Sequence, residues 1–231
     1  METTMKAGLN VRRFKYVKKL VIDPRLEEVN SALAELIDVS TKHPKEKFAS
    51  SADQLLLYQS LSYMLNAKKI LDCGTFTGLS ALSFALGCAD DGHVYTIDVN
   101  KEFVDVGREY WDKAGVAGKI TSILKPADEV VKEMAQKPEH LGSFDIAYLD
   151  VPKHLYEPVY EYIVPLLRPR GLLLVDNIFM SYGVLEDEAN YDPRDTAVLD
   201  MAKFNKRISA DERMMHNFID IGDGLAIVVK K

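Results

Sequence analysis

Residues 68–86 read KKILDCGTFTGLSALSFAL: a short apolar run, a turn with two glycines, then a longer apolar stretch. The run Lys69–Cys73 has strand length and the residues from about Leu79 have helical length, so the segment predicts strand, tight turn, helix. The same rhythm extends to both sides. Upstream, 53–66 reads as a helix, and before it DPRLEEVNSALAELIDVS places Leu26, Val29, Leu33, Leu36 and Ile37 at helical spacing, with Asp23 as N-cap and Pro24 in the first turn. Downstream, strands at His93–Asp98, Ile120–Leu124, Phe144–Leu149 and 172–175 alternate with helices at 103–114, 127–136 and 158–167. Alternation of this kind predicts a mainly parallel α/β sheet with helices on both faces. The rhythm breaks at the end, where 218–221 and 225–229 flank Gly222-Asp223-Gly224 and suit an antiparallel hairpin.

Four of the strand-like segments finish on an acid: LDCGTFTG, VYTIDVN, IAYLDVPK and LLLVDN supply Asp72, Asp98, Asp150 and Asp176. Ligands of open α/β sheets bind beyond the carboxyl ends of the strands, so these acids line one rim. Carboxylates there need cations, hydroxyls or ordered donors as partners. A ribose, a sulfonium or ammonium group, and a divalent metal are the candidates, and an enzyme is the expected class.

The 231 residues suit one domain, 1–231, with 47% hydrophobic and 28% charged residues. A net charge of -6 argues against binding nucleic acid through phosphate neutralisation. The basic cluster Lys6, Arg12, Arg13, Lys15, Lys18 and Lys19 has no apolar segment behind it, and no run reaches membrane-spanning length. Cys73 and Cys88 lack metal-ligand spacing, so a reducing cytoplasmic location is expected, with Cys73 as a packing residue.

The turn Gly74-Thr75-Phe76-Thr77-Gly78 lets backbone approach a ligand and places free helix N–H groups nearby. It is not the GxGxxG dinucleotide fingerprint, which counts against a nicotinamide-dependent oxidoreductase. Asp98, at the end of the second strand, suits the hydroxyls of a cofactor ribose; its alternative is a strand-end cap.

With these motifs in hand, SSADQLLLYQSLSYMLNAKKILDCGTFTGLSALSFAL, Asp98, LDVPK, VDN and IGDGLAIV together resemble the caffeoyl-coenzyme A and catechol O-methyltransferase families, over about residues 48–231. The resemblance implies a Rossmann-like, seven-stranded S-adenosylmethionine methyltransferase fold, a divalent metal such as Mg²⁺, and a homodimer. It implies that Asp72 lies near the methionine amino group, Gly74 floors the cofactor, Ser51 and Ser80 meet its carboxylate, and Ala127 lies by the adenine. Thr75, Phe76, Gly78, Asp98, Val99 and Asp150 complete the implied cofactor-facing set.

Asp150, Asp176 and Asn177 offer two carboxylates and an amide oxygen, a hard donor set suited to Mg²⁺. The resemblance makes them the metal ligands and Lys153 the general base. A lysine, ordinarily near pKa ~10.4, needs an adjacent cation or burial to serve there. The chain departs from both families between Asp150 and Lys153. The caffeoyl-coenzyme A type has an acid where Pro152 stands, and the catechol type has His-Trp where this chain has Val151-Pro152. Residues 178–197, with Phe179, Met180, Tyr182 and Tyr191, read as an irregular insertion that either covers the acceptor or packs down as a loop. The expected reaction is methylation of a catechol-like aromatic or its coenzyme A ester. The rival readings are a metal-independent methyltransferase and a non-catalytic S-adenosylmethionine-binding protein. Trp111 reads as packing and His154 as a bystander.

Overall fold

The computed structural model describes residues 27–231, with side chains from Ser31 onward. The expected Asp23 cap, Pro24, Leu26, the Val29 side chain and the basic cluster at 6–19 lie outside the described residues. The elements run α1 (Glu27–Thr41), α2 (Ala52–Met64), β1 (Lys69–Cys73), α3 (Leu79–Gly87), β2 (His93–Asp98), α4 (Lys101–Lys113), β3 (Ile120–Leu124) and α5 (Ala127–Ala135). They continue with β4 (Phe144–Leu149), α6 (Tyr156–Leu166), β5 (Leu167–Asp176), α7 (Thr196–Ser209), β6 (Met214–Ile219) and β7 (Leu225–Lys230).

The seven strands order as β3-β2-β1-β4-β5-β7-β6. β1 pairs in parallel with β2 and β4, β4 with β5, and β2 with β3, while β7 runs antiparallel to both β5 and β6. Chain order reverses direction at β1, between β2 and β4. That is the switch point where ligands of open parallel sheets bind.

Side chains alternate across the pleat, so each strand feeds two cores. Ile70, Val94, Ile146, Leu172 and Leu174 meet α1 through α4; Leu71, Ala147, Leu149, Leu173 and Val228 meet α5 through α7. Burial on both faces explains why 172–175 is a continuous apolar run.

The structure differs from expectation in three places. β5 begins at Leu167, and a register irregularity against β4 absorbs Arg168-Pro169-Arg170-Gly171 before the regular pairing of Leu172. Helix α7 occupies a stretch that the sequence reading left unassigned beyond 197; Asp195 Oδ1 accepts from Val198 N (3.2 Å), and Val198, Met201, Phe204 and Ile208 are buried. The first hairpin strand lies earlier, at Met214–Ile219, which makes its connection to β7 five residues rather than a three-residue turn. Among the described residues, no helix is long and apolar enough to cross a membrane.

Candidate active site

The glycine turn sits where β1, β2 and β4 end together. Gly74 has φ +111°, and a Cβ there would lie 1.9 Å from the Asp150 carbonyl oxygen, so a side chain would separate the β1 and β4 exits. Gly78 has φ +81°, and a Cβ there would fall 2.6 Å from the Trp111 ring, whose Nε1 donates to the Gly78 carbonyl (3.1 Å). Trp111 thus supports the turn from below, as expected of a packing residue. Register places Asp72 beside Thr96 of β2 and Tyr148 of β4.

Asp72 is fully buried. Thr96 Oγ1 (2.6 Å) and Ser80 Oγ (3.2 Å) both donate to its Oδ2, and Thr75 Oγ1 lies 2.6 Å from Thr96 Oγ1. Among the described residues, Asp72 Oδ1 is buried without a hydrogen-bond partner. Burial pushes this carboxyl up to about 7 against the pull of the two hydroxyls, with the charges of Asp150 and Asp98 adding to the rise. An orphaned acceptor of this kind fits a cationic ligand group such as an amino acid ammonium.

Asp98 Oδ2 accepts from Phe76 N (2.9 Å) and its Oδ1 from Asn100 N (2.8 Å), which locks the acid against the glycine turn with lone pairs remaining. The Phe76 ring is held by Phe103, His43 and Phe48 at centroid distances of 5.0, 5.2 and 6.0 Å. Val99 is 70% exposed beyond the end of β2, and Ala127 is the half-buried first residue of α5. Ser51 is the N-cap of α2. Its N–H donates to Gln54 Oε1 (3.0 Å), and its hydroxyl lies 2.5 Å from Asp53 Oδ1 and 2.8 Å from Gln54 Oε1, so its side chain is turned toward the first turn of α2 as it stands.

Beyond β4 and β5, five residues converge. Lys153 Nζ donates to Asp150 Oδ1 (3.1 Å), Asn177 Oδ1 (2.7 Å) and Tyr156 Oη (2.6 Å). The oxygens of Asp150 and Asn177 therefore face one cation position, filled here by an ammonium. Asp176 is buried beside them. Its Oδ1 accepts from Gln54 Nε2 (2.7 Å) and Asn177 N (2.8 Å), and its Oδ2 from Tyr148 Oη (2.6 Å). Burial first, and then the charge of Asp150, push the Asp176 carboxyl up.

The family model described as O-methyltransferase matches residues 17–231. The chain belongs to the O-methyltransferase family. A probable caffeoyl-CoA O-methyltransferase 2 of Dictyostelium discoideum is 33% identical over 181 residues, covering 78% of this chain and 77% of that protein. The catechol O-methyltransferase domain-containing protein 1 of Mus musculus is 35% identical over 199 residues, covering 86% and 74%. Among solved structures, an O-methyltransferase from Bacillus cereus in complex with SAH superposes with TM-score 0.79 at 22% identity, over 94% of this chain and 96% of that one. A putative caffeoyl-CoA O-methyltransferase from Staphylococcus aureus superposes with TM-score 0.74 at 25% identity, over 94% and 100%.

Within this O-methyltransferase, three site residues escaped the sequence reading. Gln54 links the α2 cap to Asp176, Tyr148 bonds the same carboxylate, and Tyr156 touches Lys153. Gln54 carried a signal: Ser51 followed three residues later by Gln is a capping box. The tyrosines carried none, since strand or helix periodicity places them in the core without saying where their hydroxyls end.

The donor set fits a hard divalent cation. Asp150 and Asn177 present oxygens to one point, and three hydrogen bonds to Asp176 leave one of its four acceptor sites free. Among the described residues, no group of three or more His, Cys, Asp or Glu gathers as a metal site; this set has two carboxylates and an amide. Cys73 is buried, with its thiol pushed up by burial, and His154 is exposed, so neither joins the site.

Loop 177–182 leaves β5 through four left-handed residues, Asn177, Met180, Ser181 and Tyr182. The β6–β7 connection holds it: Ile178 N donates to Gly224 O (3.2 Å), Phe179 N to Asp223 O (3.0 Å) and Ser181 N to Asp223 Oδ1 (2.7 Å). Phe179 stacks on Tyr182 with centroids 6.1 Å apart, and Tyr191 Oη donates to Val184 O (2.9 Å).

Proposed function

We propose that this O-methyltransferase transfers the methyl group of S-adenosylmethionine, with a divalent metal such as Mg²⁺, to a hydroxyl of a catechol-like aromatic or its coenzyme A ester. One observation carries the reading: Lys153 Nζ lies at hydrogen-bonding distance from both Asp150 and Asn177, beside the glycine turn that packs on Asp150.

In the proposed complex, Asp72 Oδ1 receives the donor's ammonium, Asp98 its ribose hydroxyls and Ala127 the edge of its adenine. Gly74, Gly78, Thr75 and Phe76 shape the surface beneath it. Ser51 and Ser80 face its carboxylate, with Val99 beside the ribose. S-adenosylmethionine supplies a methyl group on a positively charged sulfur. Asp150, Asp176 and Asn177 hold the cation, which favours the ionised form of a bound hydroxyl. Lys153 takes the hydroxyl proton at Nζ, and fixed geometry around it aligns the oxygen for in-line attack. Loop 178–197 forms the acceptor wall in this reading. Family resemblance supports a homodimer.

The test is methyl transfer to a panel of catechols and caffeoyl-type acceptors with Mg²⁺ or EDTA, read by mass spectrometry. Methylated product that vanishes with EDTA is expected. Product that survives EDTA removes the metal from the proposal, and donor binding without product from any acceptor removes the substrate class.

A further inference from the structure

We infer that Asn205 is a specificity-determining positioning residue: by holding the Ile178 carbonyl it fixes the acceptor wall, and so selects which of two adjacent hydroxyls receives the methyl group. The inference rests on the reading of loop 178–197 as that wall. It begins with strain. The chain leaves β5 with Asn177, Met180, Ser181 and Tyr182 at φ +55°, +43°, +53° and +68°. Residues with side chains keep that conformation only where their surroundings over-determine it, so the loop has to be held from outside. The β6–β7 connection supplies one side of the hold, through the carbonyls of Gly224 and Asp223 and the Asp223 carboxylate. Gly224 lets it come close: with φ +84°, a Cβ there would lie 2.6 Å from Phe179 Cδ2 and 2.7 Å from Ile178 Cγ1.

Each of those bonds takes a loop N–H, and none takes a carbonyl. Ile178 is buried, so its carbonyl oxygen needs a donor inside the protein. Asn205 of α7 provides it: Nδ2 donates to Ile178 O at 2.7 Å. Ile178 is thereby gripped at both ends, its N–H by Gly224 and its C=O by α7. A carbonyl accepts only, which settles that the nitrogen end of the amide faces it. The other end, Oδ1, is buried and has no hydrogen-bond partner among the described residues, so the amide is held through Nδ2. The helix behind the tether is itself fixed. Met201, Phe204 and Ile208 are buried, and the Phe204 ring meets Tyr156 and Tyr160 edge-on at centroid distances of 5.3 and 5.6 Å. Phe179 follows Ile178 directly and stacks on Tyr182, so a shift of the Ile178 carbonyl carries this aromatic pair with it. The two hydroxyls of a substituted catechol differ in where each would put the substituent when it faces the methyl donor, and the wall decides which placement fits.

The test compares wild type, Asn205→Leu, Asn205→Asp and Phe179→Ala, with caffeate as acceptor, Mg²⁺ present and the two monomethyl products separated by chromatography. Leu keeps the volume without either polar atom, and Asp keeps the shape but puts an oxygen where the donor was. Both should shift the product ratio by about threefold or more and raise KM for caffeate, while calorimetric Kd for S-adenosylmethionine stays within about twofold. A variant that merely folds less well loses kcat and keeps its ratio, because each molecule that turns over is then native. An unchanged ratio in both Asn205 variants therefore overturns the inference. If Phe179→Ala shifts the ratio in that case, the wall reading stands without the tether; if it too leaves the ratio unchanged, the wall reading falls as well. Hydrogen exchange supplies a readout without turnover. In Asn205→Leu the amides of 178–184 should exchange about tenfold faster or more, with those of the glycine turn at their wild-type rates. Wild-type exchange in the loop overturns the inference. Wild type that forms neither product overturns the specificity role for catechol-like acceptors, whereas the exchange rates judge the tether by themselves.

Discussion

Lys153 and Asp98 show how differently two polar residues can be tied to their surroundings. Lys153 has three side-chain partners from three points of the chain, whereas Asp98 is held by backbone N–H groups of two neighbouring turns. Replacing Lys153 with Ala should reduce kcat by about 10²–10⁴-fold, the range for a lost general base, with donor affinity nearly unchanged. Steady-state kinetics beside calorimetry checks this, and a wild-type rate excludes Lys153 as base. Asp98→Ala should instead weaken S-adenosylmethionine binding by about 1.5–3 kcal/mol, the scale of hydrogen bonds to a charged acceptor; unchanged affinity in a titration counts against the ribose role. Asp98 was singled out in sequence because it closes a strand at the ligand rim, and Lys153 because it follows the strand-end Asp150 in a stretch that resembles the family's. The supports of Asp176 were not. Tyr148 and Gln54 reach it from β4 and α2, and no local pattern joins residues so far apart along the chain.

At the scale of elements, strand and helix identities followed from apolar periodicity, and the errors fell where another force intervened. β5 starts early because an irregularity accommodates a Pro-containing stretch that periodicity excludes. Helix α7 was obscured by the acid-rich loop before it, although Val198, Met201, Phe204 and Ile208 keep helical spacing. The glycine turn was read correctly as a turn, and the structure supplies its reason: Gly74 allows β1 and β4 to exit in contact. Gly74→Ala should therefore cost at least about 2 kcal/mol of stability, from left-handed strain and forced separation of the two exits. Urea unfolding measures it, and a variant as stable as wild type would show that the two exits separate freely.

For the whole molecule, the cluster between α6, α7 and β6 and the ligand rim hold their carboxylates in opposite ways. On the side of α6 and α7, Asp211 accepts from Tyr160 Oη (2.8 Å), from Arg207 Nη1 (3.2 Å) and in bidentate fashion from Arg213, while both arginines also reach Glu161. Arg213 above all holds the Asp211 carboxyl well below the usual carboxylate range. This network joins α6, α7 and β6. Asp211→Asn should lower unfolding stability by about 1.5–3 kcal/mol, discounted for partly exposed arginines, and leave donor affinity intact; loss of affinity would show that the network reaches the site.

At the ligand rim the sign is reversed. The folded protein keeps a proton on Asp72 up to about pH 7, while the unfolded chain loses it in the ordinary carboxylate range. Stability therefore declines as pH rises from that range through about 7, then levels off. Ligand-free protein should show a Tm that falls between about pH 5 and 8, with Asp72→Asn flattening the slope. A Tm that rises across that interval contradicts the assignment.

Trp111 is the chain's single tryptophan, buried beneath Gly78 with its indole N–H on that residue's carbonyl. Its ultraviolet emission consequently originates from one place, the underside of the turn proposed to cradle the methyl donor. If the turn holds the donor, that emission should change as S-adenosylmethionine is titrated in, with no label or chosen acceptor needed, and an unchanged spectrum counts against the placement.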